Sequence, residues 1–175
     1  MRAITSLSRK NKVIVYSVVI VLGFLHSASL HAEETINLSG TWRFRYDPIE
    51  YGEQKGWQEP GEITWSPMQV PMSYNAGSES WYSGIGWYRT SFRVPAGWSG
   101  GHLFLRFLGV NIRCKIWVNG ELVGEHRYPY LPFEIDVTGA VKPGGNNWLV
   151  VKADNRIQDQ AVPDTNWDGW WNFGG

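Results

Sequence analysis

One cysteine among 175 residues, Cys114, leaves no internal disulfide, so any core has to come from packing alone. Histidine is almost as scarce. Of the four, His26 and His31 lie near the start and His102 and His126 stand far apart, with no HxH, HExxH or Cys/His grouping. No metal site is therefore expected, and no Asp-x-Asp-x-Asp run offers a calcium loop. The glycine-rich phosphate cradle and the GxSxG nucleophile elbow are also missing, since Gly109-Val110-Asn111-Ile112 is neither. After residue 32 no stretch sustains a 3.6-residue apolar period, which excludes a helical architecture.

An excess of positive charge is missing as well: 16 Lys plus Arg stand against 16 Asp plus Glu. Four of the basic residues, Arg2, Arg9, Lys10 and Lys12, precede an uncharged run over 13–25 and small residues leading to Ala32 and Glu33-Glu34. Residues 1–32 read as a secretory signal peptide cut after Ala32, with an uncleaved inner-membrane anchor as the alternative because Leu30 is not small. The apolar run is short for a span, which takes roughly 17–25 residues, so no stable membrane span is expected after cleavage. The remainder, 33–175, carries 12 basic against 16 acidic residues, a net of −4. An exported, periplasmic or extracellular chain of this charge is a poor binder of nucleic acid.

What the chain has in abundance is tryptophan, 11 residues, all after position 32. Trp42, Phe44 and Tyr46 alternate with Arg43 and Arg45, and Tyr88, Thr90, Phe92 and Val94 alternate with Trp87, Arg89, Ser91 and Arg93. Both stretches are strands with one dry face. Further strands are expected over 102–108, 133–137 and 148–153, each bounded by Gly/Pro/Asn-rich turns. Arg113–Gly124 reads as a central hairpin: Ile112, Cys114, Ile116 and Val118 share a face, Leu122 continues it, and Asn119-Gly120 makes the turn. The segment 47–69 is a long irregular excursion pinned by Trp57 and Trp65. Seven or eight short strands with turns between them predict an all-β fold, a jelly-roll β-sandwich, with an immunoglobulin-like sandwich as the other candidate. Cys114 belongs to the wall of that sandwich.

Carboxylates are plentiful, but nothing in the spacing pairs two of them for acid/base work, and Glu134 and Asp136 share a solvated strand face. Sugar binding is easier to motivate. Pyranose C–H faces stack on aromatic rings while Asp, Asn and Arg bond the hydroxyls. The residue types for this cluster in two places, Ser73-Tyr74-Asn75 and the run that begins at Asp154 and Asn155 and ends at Asp168, Trp170, Trp171 and Asn172. Packing of loops or of a partner domain is the competing use of the same rings.

LSGTWRFRYDP at 38–48, VPMSYN at 70–75, GIGWYRTSFRVPAGWSGGHLFLRFLGV at 84–110, KIWVNGELVGEHRYPYLPFEIDVT at 115–138, GGNNWLVVKADN at 144–155 and DGWWNFGG at 168–175 occur in this order. Together the set resembles the N-terminal sugar-binding domain of glycoside hydrolase family 2, which holds β-galactosidases, β-glucuronidases and β-mannosidases. The resemblance implies a galactose-binding-domain-like jelly roll over 33–175, truncated at its C-terminal end, ahead of an immunoglobulin-like domain and a catalytic (β/α)8 barrel. Both catalytic glutamates would belong to that barrel, so no catalytic residue and no cofactor is expected in this chain, and it should be inactive alone. The resemblance places Ser73–Asn75 and Asp168–Asn172 on loops that reach toward the sugar subsite. It makes the chain a non-catalytic carbohydrate-binding or scaffold domain of an exported retaining β-glycosidase, β-galactosidase-like and able to form homo-oligomers as the whole enzyme. The alternatives are a stand-alone secreted carbohydrate-binding module and a purely structural interdomain scaffold. The expected partners are a β-linked saccharide and the remaining domains of the parent enzyme.

Overall fold

The computed structural model describes residues 6–10, 33–61, 63–75, 82–129 and 131–156. Within them lie β1 (Ser6–Lys10), β2 (Glu34–Ile36), β3 (Gly40–Asp47), β4 (Ser66–Val70), β5 (Ile85–Arg93), β6 (His102–Phe107), β7 (Arg113–Val118), β8 (Glu121–His126), β9 (Phe133–Asp136) and β10 (Asn146–Asp154). The strands form a four-stranded sheet ordered β2-β1-β6-β9 and a six-stranded sheet ordered β4-β3-β5-β10-β7-β8. Every pair is antiparallel. The two sheets make the jelly-roll β-sandwich that the strand pattern predicts.

Alternation decides which side chains meet between the sheets. Trp42 and Phe44 of β3, Tyr88 and Phe92 of β5, Cys114, Ile116 and Val118 of β7 and Leu149, Val151 and Ala153 of β10 face Leu103, Leu105 and Phe107 of β6 in one buried cluster. Cys114 is part of that wall, and burial pushes its thiol up to about 12. Gly86 sits where β5 crosses Phe44 and Tyr74: a Cβ there would come within 2.7 Å of the Phe44 ring.

The outer face of the six-stranded sheet is also covered, and this is why Trp87 is fully buried although the alternation assigns it to the wet side. The excursion after β3 folds over it. Trp57 and Trp65 from the excursion pack with Ile85, Trp87, Trp117 and Val150 in a second cluster, with Trp87 and Trp117 stacked at 5.3 Å between ring centroids. Asp47 fastens the start of this cover. Its buried carboxylate accepts hydrogen bonds from the Trp87 indole N–H (3.0 Å) and from the backbone N–H groups of Tyr51 (3.1 Å) and Gly52 (3.0 Å).

Three details differ from the sequence expectation, the first being that residues 66–69 of the segment read as irregular over 47–69 belong to β4, paired with β3. The hairpin β7–β8 lies at the edge of its sheet, and β5 and β10 hold the centre. The turn is as expected, with φ of 53° at Asn119 and 87° at Gly120. However, a register shift at Ile116/Trp117 changes the phase of β8. Leu122 is left 47% exposed and Val123 packs against the core in its place. The third difference is at the start of the chain. β1, inside the segment expected to be a leader, pairs with β6 from Ser6↔Arg106 to Lys10↔His102 and with β2 from Leu7↔Ile36 to Arg9↔Glu34. It thereby covers a strand edge whose N–H and C=O groups would otherwise be unpaired.

Two measurements check this packing. Gly86→Val should cost about 1–3 kcal/mol through overpacking against Phe44, read as a lowered urea midpoint with unchanged slope; wild-type stability in this variant would contradict the close approach. Cys114 should resist a thiol reagent in buffer and react fully in denaturant, and rapid labelling of the native protein would place it outside the core.

Candidate sugar-facing corner

The chain leaves β10 at the corner where β5 begins. Asn155, 0% exposed, continues the β5–β10 ladder by side chain as well as backbone. Its N–H donates to the Gly84 carbonyl (3.4 Å), its Oδ1 accepts from the Gly84 N–H (2.8 Å), and its Nδ2 donates to the Tyr82 carbonyl (3.0 Å). Asn75 clamps the same segment from the other side. Its Nδ2 donates to the Tyr82 carbonyl (3.1 Å) and its Oδ1 accepts from the Tyr82 N–H (3.2 Å). Two asparagines therefore converge on one backbone carbonyl, which an amide side chain, donor and acceptor at once, is suited to do.

Ser73 and Tyr74 complete the clamp. The Ser73 Oγ accepts from the Asn75 N–H (3.2 Å), the Tyr74 hydroxyl donates to the Gly84 carbonyl (3.0 Å), and the Tyr46 hydroxyl donates to the Tyr74 carbonyl (2.9 Å). Tyr74 stacks on Phe44 at 5.7 Å, and burial pushes its hydroxyl pKa well up. Tyr46, Tyr74 and Tyr82 pack edge to face around this point, with centroids 4.6 to 6.0 Å apart. Thus four of the sequence-selected residues, Ser73, Tyr74, Asn75 and Asn155, do meet. All are buried, and the contacts that join them run to backbone.

Asp154 stands beside them in an ion network. It accepts from Arg113 Nη2 (3.1 Å) and from Arg156 Nε (2.8 Å) and Nη2 (2.9 Å), while Arg156 also pairs with Glu50 of the excursion. Burial pushes the Asp154 carboxyl up, but the hydrogen bonds and charge of Arg156, with Arg113, outweigh it and hold the carboxyl below its usual range. Asp47 and Asp154 are thus each held by several donors, and the described part of the corner orients backbone. Among the described residues no group of three His, Cys, Asp or Glu is placed to hold a metal. Asp168, Trp170, Trp171 and Asn172 lie outside the described residues. Sequence pattern did not single out Gly84, and it placed Arg156 in the polar-aromatic tail without its ion-pair partners. Gly84 acts through its backbone, and Arg156 matters only because β10 carries Asp154 to the same corner.

The depressed Asp154 carboxyl stabilises the fold above its unfolded value of about 3.9, and that contribution is lost as pH falls through the lower folded value. Asp154→Asn should cost about 1–3 kcal/mol at neutral pH. The gap to wild type should narrow below about pH 4, followed by denaturant titration across pH 3–7. A gap that is constant with pH would contradict the network.

Comparison with known proteins places the chain in a family. The model described as "Glycosyl hydrolases family 2, sugar binding domain" matches residues 61–175. A β-glucuronidase of Paenibacillus borealis is 34% identical over 134 residues, covering 74% of this chain and 22% of that protein. A β-galactosidase of Thermoanaerobacter pseudethanolicus is 37% identical over 95 residues, 54% of this chain and 13% of that protein. Among solved structures, Ruminococcus gnavus β-glucuronidase in complex with uronic deoxynojirimycin superposes with a TM-score of 0.68 at 33% identity, over 72% of this chain and 22% of that one. The chain spans about a fifth or less of the length of these relatives. On sequence and fold together, it belongs to the sugar-binding domain family of the family 2 glycosyl hydrolases.

Proposed function

We propose that this chain serves as the non-catalytic, carbohydrate-associated first domain of an exported retaining β-glycosidase that acts on β-glucuronides. The observation that carries the reading is the double asparagine clamp. Asn75 and Asn155 bond the backbone at Tyr82 and Gly84, at the corner from which residues 157–175 continue in sequence. In this reading Ser73, Tyr74, Asn75 and Asn155 position that loop and Asp154 anchors its exit, while Asp168, Trp170, Trp171 and Asn172 meet the sugar. A pyranose can stack its C–H face on an indole and bond its hydroxyls to a carboxylate and an amide, the groups these residues carry.

The chemistry of hydrolysis falls to glutamates of a (β/α)8 barrel that follows an immunoglobulin-like domain, working by double displacement through a glycosyl-enzyme intermediate. β-Glucuronide is proposed in place of the β-galactoside expected from the sequence because two β-glucuronidase relatives combine 34% identity with matches of 134 and 140 residues, whereas the β-galactosidase relatives match 95 residues at 37% or 159 at 26%. The basic start and apolar run before Ala32 support export, in which cleavage would remove β1 together with the leader.

The test is a chimera in which residues 33–175 replace the matched 134-residue stretch of the Paenibacillus borealis β-glucuronidase. The chimera should hydrolyse nitrophenyl β-glucuronide, and Asn155→Ala within it should lower kcat/KM by about tenfold, since a misplaced positioning group costs on the order of 10–100-fold. The 175-residue chain by itself should give no turnover. A folded chimera without activity, or turnover by the chain alone that disappears when one of its own carboxylates is replaced, would sink the proposal.

A further inference from the structure

The basic start of the chain carries two roles that exclude each other. As sequence, Arg9, Lys10 and Lys12 precede the uncharged run over 13–25 and mark a leader. As structure, Ser6–Lys10 is β1, the strand that joins β2 to β6. In a leader threaded into a membrane the basic end stays on the side of synthesis, while the chain beyond the apolar run crosses. The register of β1 forbids that arrangement. Arg9 is the partner of Glu34, and paired strands lie roughly 4.8 Å apart, whereas a hydrocarbon core is roughly 30 Å thick. Both ends of the apolar run therefore lie on one side whenever β1 is seated.

The place that β1 takes is framed by the rest of the domain. In β6, the Leu103 N–H donates to Thr138 Oγ1 (2.9 Å) and the Leu103 carbonyl accepts from the Val137 N–H (2.8 Å), both on the β9 side. Backbone groups of an antiparallel strand turn alternately to its two neighbours, so those of Phe104 and Arg106, the register partners of Ser8 and Ser6, turn to β1. Across the gap, β2 pairs with β1 alone among the described strands, yet it is held to the sandwich by other contacts. Glu34 accepts from the Trp98 indole N–H, the Trp42 indole N–H donates to the Leu38 carbonyl (2.8 Å), and Ile36 and Leu38 pack on the core. Two fixed rails thus frame a slot one strand wide, which β1 fills.

We propose that seating of β1 in this slot competes with export: residues 6–10 are leader in an unfolded chain and strand in a folded one, and a chain that folds before it is threaded is retained uncleaved. The inference rests on the export reading above and adds a second fate to it. Seating forms five register pairs with β6 and three with β2, and none of them can form while the run lies across a membrane. The bare β6 edge is a row of donors and acceptors that takes any antiparallel strand in reach, so retention needs no signal beyond folding itself.

Pulse–chase of the full 175-residue chain in a bacterial host, scored for cleavage and for shielding from added protease, tests this together with hydrogen exchange on the purified uncleaved chain. In the wild type an uncleaved, retained population should persist through the chase, and the Phe104 and Arg106 amides should exchange slowly. Ser8→Pro removes a ladder donor from an inner strand. It should speed exchange at those two amides about tenfold, the scale of one lost hydrogen bond, leave β5 and β10 unchanged, and shrink the retained population several-fold. Leu7→Pro, which strikes the β2 side of the same strand, should act alike. Asn11→Pro, in the leader but outside β1, should behave as wild type. Rapid exchange of the two amides in the intact wild type would overturn this inference alone. So would a retained population that neither Ser8→Pro nor Leu7→Pro reduces, or that Asn11→Pro reduces equally. Retention of every variant would overturn the export reading and this inference with it.

Discussion

The structure depends on the nine-residue pairing of β5 with β10, from Asn146↔Arg93 to Asp154↔Ile85. Both strands carry buried residues on both faces, so this one ladder serves two cores. Tyr88, Phe92, Leu149 and Val151 face the opposite sheet, while Ile85, Trp87 and Val150 face the excursion. With no disulfide, burial of this apolar surface, at roughly 25 cal/mol per Å², is the main source of cohesion. The ladder also explains why the corner sits where it does. Asn155 is the next residue after the last pair, and its amide takes over the bonding role that the backbone plays up to Asp154.

The outer face shows how the excursion earns its length. It contributes apolar rings over Trp87, a carboxylate between two lysines, Glu50 to Arg156, and the Gly61 carbonyl to Arg89. A segment without regular structure is held by what it delivers to the sheet, strand by strand. Its turns are short and local, such as Trp57 N–H to the Gly52 carbonyl at 3.0 Å, and Gly52 must lack a Cβ because Trp87 lies 2.7 Å from where one would be.

The strands were legible in the sequence because period-two alternation with a buried face leaves an unmistakable pattern, and β3, β5, β6, β7, β9 and β10 fall on the stretches it picks out. Strand order was not. Arg113–Gly124 has the strongest hairpin signal in the chain, yet a local turn says nothing of where the pair sits in a sheet, and it lies at an edge. The phase of β8 was equally hidden: the shift after Ile116 exchanges Leu122 for Val123 without altering composition. Trp87 and Arg89 read as wet because single-strand alternation assumes one covered face, whereas the excursion covers the second.

The candidate residues at Ser73–Asn75 and Asn155 were found for one reason and turn out to be joined by another. Ser, Tyr and Asn were selected as types that bond sugar hydroxyls, but the same donor and acceptor groups satisfy buried backbone equally well. Burial decides which use prevails here, since a polar group withdrawn from water costs free energy unless it is paired. With Tyr82 and Gly84 held from both sides, any loop rooted at this corner starts from a fixed point. Such residues influence a ligand through the geometry of what they hold, and replacing one would change where a neighbouring side chain lies before it changed any contact of its own.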